Sequence, residues 1–238
     1  IKLARHMFDA LTRRLPGDVA HVQHWTLAAG RFSGDLLVFE RTPEDRLHVL
    51  LGDFTGHGLA AAVGALPVSD AFFAMTRKGL PIAAIAREIN RKLRHILPTG
   101  NFCAACLVAL DLRAARLEAW NGGLPPVLAI DGRQEVAHRL VSRHLPLGIL
   151  PDETFDASIE ALDIAGAGHL ILYSDGLVEA QNPHGEAFGE ERLAEALRSA
   201  AGHPLHRVRS RLVSFLGGLE PHDDVSVLAV QLAAEGAS

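Results

Sequence analysis

The chain alternates between short apolar runs bounded by turn residues and longer stretches with a helical repeat of hydrophobic positions. Leu3, Met7, Phe8 and Leu11 recur at helical spacing over 1–14, and Pro16-Gly17 stops them. Strand-like runs are expected at 19–28, 35–40 and 47–52, the last two joined across Thr42-Pro43-Glu44-Asp45 as a hairpin. From 58 to 78 the chain turns alanine-rich and helical until Gly79-Leu80-Pro81 breaks it. Ile82, Ile85, Ile89 and Leu93 then mark a second amphipathic helix, with Pro98 beyond its end. Three strands are expected at 103–111, 116–121 and 127–131, with a turn at 111–115. Residues 132–167 carry the weakest pattern; one strand is expected near 155–162, followed by a turn at 166–168. A strongly apolar strand at 169–174, helices at 190–200 and 206–216 and a closing strand at 224–232 complete the order.

Strands are grouped with strands and helices with helices, which predicts an α+β fold rather than a doubly wound parallel sheet. The 238 residues, 48% of them hydrophobic, suffice for one sizeable core. No repeat, low-complexity tract or linker divides them, so one domain is expected.

Net charge is -5 with 21% charged residues, and no basic stripe suggests nucleic acid as a partner. No apolar stretch approaches the roughly 20 residues of a membrane span, and no signal peptide opens the chain. The start at Ile1, without Met, suggests a domain cut from a longer protein. The two cysteines form a CAAC inside a strand-like run. Their odd spacing points the side chains to opposite faces, so they read as small core hydrophobes rather than a redox pair. Few cysteines fit the cytoplasm.

Candidate chemistry lies in aspartates at the junctions of strands and turns. Asp35 follows Ser33-Gly34, Asp53 ends an apolar run before Phe54-Thr55-Gly56-His57-Gly58, Asp175 ends another before Gly176, and Asp223-Asp224 open the last strand. A carboxylate against an apolar strand is costly unless a cation or donor meets it. Each taken alone also fits an ordinary turn residue. Oxygen ligands favour Mg²⁺, Mn²⁺ or Ca²⁺ over zinc. The HExxH, P-loop, GxGxxG and GxSxG patterns of zinc, nucleotide and serine-hydrolase sites are missing, which leaves metal-activated water.

Six segments in order resemble the SpoIIE-type branch of the type 2C (PPM) protein phosphatases. They are SGD at 33–35, LLGDFTGHGLAAAV at 50–63, WNGGLPPVL at 120–128, HLPLGILPD at 144–152, LILYSDGLVEAQNPHGEAFGEERL at 170–193 and DDVSVLAVQL at 223–232. Leu124 stands where that family usually has histidine, and Ser33 where it has glycine.

The resemblance implies a four-layer α/β/β/α sandwich of two antiparallel sheets flanked by helix pairs, with a centre for two Mn²⁺ or Mg²⁺ ions. Asp53 would bridge both ions, with Asp35, Asp175 and Asp223 completing one shell and the Phe54 carbonyl serving the other. Asp224 would join them, at a position where the family often has Asn. His57 is either a general acid for the leaving alkoxide or a structural turn residue. Arg31 is either a phosphate contact or a surface arginine.

Residues 1–16 would be a connector helix from an upstream receiver or sensor domain of a response regulator, and a surface for homodimerisation. Residues 17–234 would form the phosphatase domain. The implied substrate is a phosphoserine or phosphothreonine protein, an anti-sigma factor antagonist in bacterial signalling. The rival is a non-catalytic adaptor that binds a sigma factor or another protein.

Overall fold

The computed structural model describes residues 21–29, 33–55, 59–198 and 204–232. The expected helix over 1–14, and Arg31 and His57, lie outside them. The described elements are β1 (Val22–Leu27), β2 (Asp35–Arg41), β3 (Leu47–Phe54), α1 (Leu59–Thr76), α2 (Ile82–Ile96), β4 (Cys103–Asp111), β5 (Arg116–Gly122), β6 (Val127–Asp131), β7 (Val136–Leu140) and β8 (Glu160–Asp163). After these come β9 (Ala167–Tyr173), α3 (Asp175–Glu179), α4 (Gly189–Arg198), α5 (Pro204–Leu216) and β10 (Val225–Gln231). No described helix is long and apolar enough to cross a membrane.

The elements fall into two compact units. The first holds an antiparallel sheet in the order β2-β3-β4-β5-β8 together with α1 and α2. Its β2–β3 hairpin closes as the sequence predicts: the Thr42 N–H donates to the Arg46 carbonyl at 2.8 Å, and Asp45 takes φ 67°. One face of the sheet meets the helices, with Leu36, Val38, Leu50, Leu107 and Trp120 against Val68 and Phe72 of α1 and Ile85, Ile89 and Leu93 of α2. Each such side chain stabilises the fold by about 1.5–3 kcal/mol relative to an exposed one.

The central strands β3 and β4 are buried almost throughout, which explains their near-continuous apolar sequence. Cys103 and Cys106 sit in β4 as free, buried thiols, in accord with a core role. Burial alone raises Cys106 to a pKa of about 12.

The second unit holds the antiparallel sheet β1-β10-β9-β6-β7 with α3, α4 and α5. Ile171, Tyr173, Val225 and Val227 supply its apolar face, covered by Leu193 and Leu197 of α4 and Leu205, Val208 and Leu212 of α5.

Three departures from the sequence expectation have physical causes. Strand β7 has three exposed central positions at a sheet edge and therefore no alternation to detect. The strand expected near 155–162 forms only at its end, as β8. Before it, Phe155 is drawn into the core beside Trp120 (centroids 5.7 Å apart), and Asp156 Oδ1 accepts the Ser158 N–H at 2.8 Å in a local turn. Asp175 begins the five-residue helix α3 rather than sitting in a simple turn, and that helix is too short to show a period.

Candidate active site

In the first unit the strand register brings two acids together. Asp35, the first residue of β2, is the direct cross-strand partner of Asp53 in β3. Partners in an antiparallel pair present side chains on the same face, with Cβ atoms about 4.5–5.5 Å apart. Asp35 is buried. Its N–H donates to Ser33 Oγ at 3.1 Å, so the small serine in place of glycine orders the entry to the strand. On the other side of β3, Ala104 of β4 lies opposite Asp53 and leaves room beside it.

The chain just past Asp53 is held from both sides. The Phe54 N–H donates to the Gly34 carbonyl at 3.2 Å, and the Thr55 N–H donates to the Phe102 carbonyl at 3.0 Å. The two aspartates are also felt by Cys103. Burial pushes its thiol far above the usual range, and the charges of Asp53 and Asp35 push it further. A thiol so placed stays protonated and inert.

In the second unit a turn brings two further acids together. The Ser174 N–H donates to the Ser226 carbonyl at 3.0 Å, and Ser174 Oγ accepts the Ser226 N–H at 2.9 Å. The Ser174 hydroxyl points back to the Asp224 carbonyl at 3.3 Å. Here the backbone approach is so close that a Cβ on Gly176 would lie 2.1 Å from the Asp224 carbonyl oxygen; only glycine fits. Asp175 and Asp223 are thereby brought into electrostatic contact. Burial raises the proton affinity of Asp175, the Asp223 charge adds to it, and the N–H groups of Gly176 and Asp175 oppose it.

Asp223 accepts the Asp224 N–H at 2.7 Å, while Asp224 Oδ1 accepts the Ala29 N–H at 2.8 Å. Asp224 thus has a structural task at the end of β1. The sequence did not signal the parts played by Ser174, Gly176 and Ala104, since each depends on an approach between distant segments.

The described residues therefore give two carboxylate pairs, one in each unit, and among them no group of three or more His, Cys, Asp or Glu that holds a metal as it stands. The donor set itself fits a hard divalent cation: oxygen ligands only, in like-charged pairs, one with raised proton affinity.

The architecture is that of PP2C domains. The SiaA-PP2C domain of Pseudomonas aeruginosa superposes with a TM-score of 0.79 at 22% identity, covering 97% of this chain and 96% of that one. Residues 43–233 match the family described as Stage II sporulation protein E (SpoIIE), and the chain belongs to that family as a SpoIIE-type PP2C phosphatase domain. The chain is an α+β protein with two antiparallel sheets and helices, as the sequence predicts. Phosphoserine phosphatase RsbP of Bacillus subtilis (strain 168) is 26% identical over 186 residues, 75% of this chain. The chain spans only 45% of that relative's length. RsbX in complex with magnesium superposes with a TM-score of 0.67 at 13% identity, covering 91% of this chain and 98% of that one. The family is metal dependent.

Proposed function

We propose that this domain hydrolyses phosphoserine or phosphothreonine in a partner protein, using Mn²⁺ or Mg²⁺ held by its aspartates. The observation that carries the reading is the Asp35–Asp53 pair, set in register on adjacent strands, with Asp53 inside the residues 43–233 that match the family. The name of RsbP as a phosphoserine phosphatase and the magnesium complex of RsbX support it.

Asp35 and Asp53 form one set of ligands, and Asp175 and Asp223 another. The Phe54 carbonyl and Asp224 are further oxygen donors. Two such ions, when bound, supply Lewis acidity that brings the pKa of water close to neutrality. The residues of this chain do the rest. The carboxylates fix the ligand geometry and hold their charge against repulsion. His57 delivers the proton that the departing serine or threonine oxygen needs as its bond to phosphorus breaks and the bond from water forms. Arg31 meets the phosphate oxygens. The protein substrate is an anti-sigma factor antagonist, and residues 1–16 join the domain to an upstream receiver or sensor and to a second copy.

The test is hydrolysis of a phosphoserine protein and of p-nitrophenyl phosphate by metal-stripped protein, with Mn²⁺ or Mg²⁺ restored. Hydrolysis that returns with the ion and stops with chelator is the expected result. Complete inactivity with both ions, while circular dichroism shows an intact fold, would establish the adaptor reading instead.

A further inference from the structure

The segment HLPLGILPD at 144–152 has no chemistry of its own, yet it is tied down more heavily than any loop needs to be. It begins where β5 leaves the sheet. Gly123 takes φ 98°, and its N–H donates to Ser142 Oγ at 2.7 Å. The Arg143 and His144 N–H groups both donate to the Asn121 carbonyl, at 3.1 and 3.2 Å. Leu147 then replaces β5 as the neighbour of β4. It exchanges two backbone hydrogen bonds with Cys103, 2.8 Å from its N–H and 2.9 Å to its carbonyl. Cys103 is in turn the cross-strand partner of Phe54, the residue after Asp53.

The other end of this strap is gripped by α2. Asn90 is the one polar member of that helix's buried stripe and is fully buried. A buried amide is costly unless every polar atom finds a partner. Both atoms of Asn90 find theirs on the strap: Oδ1 accepts the Gly148 N–H at 2.8 Å, and Nδ2 donates to the Leu150 carbonyl at 2.9 Å. Arg94, one turn later, donates to the Ile149 carbonyl at 2.7 Å. Three consecutive strap residues are thus fixed to one helix face. Gly148 takes φ 92°, with space for a Cβ only 3.3 Å from Leu93, so the clamp also requires glycine there.

We infer that Asn90 is a positioning residue for the metal ligands of the first unit. The path is continuous: Asn90 fixes residues 148–150, Leu147 fixes Cys103 opposite Phe54, and Phe102 beside Cys103 holds Thr55, its carbonyl accepting the Thr55 N–H at 3.0 Å and its N–H donating to Thr55 Oγ1 at 2.9 Å. This rests on the reading above that Asp53 and the Phe54 carbonyl hold a divalent ion. The amide does not touch the ion or the substrate. It sets where the backbone carrying those oxygens stops moving.

The experiment is a calorimetric Mn²⁺ titration of metal-stripped wild type, Asn90→Leu, Asp53→Asn and Thr76→Val. Leucine keeps the apolar volume and removes both hydrogen bonds. Thr76→Val is the control, because Thr76 is a buried partner of His48 at the opposite end of β3. Both Asn90→Leu and Thr76→Val should lower the melting temperature. Only Asn90→Leu should also weaken the Mn²⁺ dissociation constant, by about tenfold, with kcat at saturating Mn²⁺ little changed.

Unaltered Mn²⁺ affinity in folded Asn90→Leu, with Asp53→Asn deficient, overturns the positioning role alone. Wild-type affinity in Asp53→Asn overturns the metal assignment itself. Should Asn90→Leu not fold, Arg94→Met removes only the grip on Ile149. A loss smaller than that of Asn90→Leu is then expected, and wild-type affinity rejects the clamp.

Discussion

The two carboxylate pairs are built by different means. Asp35 and Asp53 are held by cross-strand register, in a sheet whose central strands are buried on both faces. Asp175 and Asp223 are held by a turn, where Ser174 bridges to β10 and Gly176 lies against the Asp224 carbonyl. Register is cooperative: a slip of one residue would move every side chain of β3 to the other face, so the first pair moves only if the sheet does. A turn is local and depends on one missing methyl group. The first pair should therefore lose most when its own side chains change and less when the strap that backs its sheet is loosened, whereas the second should fail outright when one backbone neighbour changes.

The largest effect expected is on chemistry. Asp53→Asn should lower p-nitrophenyl phosphate hydrolysis by more than about 100-fold, beyond the loss caused by removing a merely supporting partner. Wild-type-like turnover in that variant would end its role as a ligand. Next comes the turn. Gly176→Ala places a methyl group 2.1 Å from a carbonyl oxygen. It should cost about 3 kcal/mol, the upper range for overpacking, read as a lower denaturant midpoint together with lost hydrolysis. An unchanged midpoint would mean that the turn yields more easily than its geometry allows.

A third test probes the end of the first sheet that carries no candidate chemistry. His48 is buried, its Nδ1 3.2 Å from Thr76 Oγ1. Burial lowers its pKa to about 4, the Arg46 charge adds to this, and Glu44 opposes it. The folded state thus favours the neutral ring. The resulting stability is fully present above pH 6.5 and is lost as the pH falls from there towards 4, by roughly 3 kcal/mol in all. Denaturation from pH 7 to 4 should show this loss in wild type and a smaller one in His48→Gln. Parallel curves would exclude His48 as its source.

The smallest effect belongs to the thiols. Cys103→Ala with Cys106→Ala should leave turnover unchanged and cost about 1 kcal/mol each in packing, although Cys103 lies close to Asp53. A large and specific loss of activity would reopen a redox role.

Much of this was legible in the sequence. The 35–40 and 47–52 runs gave the hairpin because two short apolar runs flank clear turn chemistry, and the acids at strand ends were visible as costly neighbours of apolar runs. What stayed hidden depends on partners far along the chain. β7 has no alternation, α3 has no period, and the work of Asn90 and Gly176 appears only when residues 148–150 and 224 arrive beside them. Periodicity reports a face, not the partner that will cover it. The family resemblance supplied what periodicity could not, a shared role for acids that each read alone as turn residues.

The central claim is that these aspartates exist to hold divalent cations. Its most direct test is electron paramagnetic resonance of Mn²⁺ added to stripped protein, which reports the free ion. Wild type should deplete the free-ion signal, and Asp53→Asn and Asp175→Asn should each leave most of it in solution. Equal depletion by all three proteins would contradict the account.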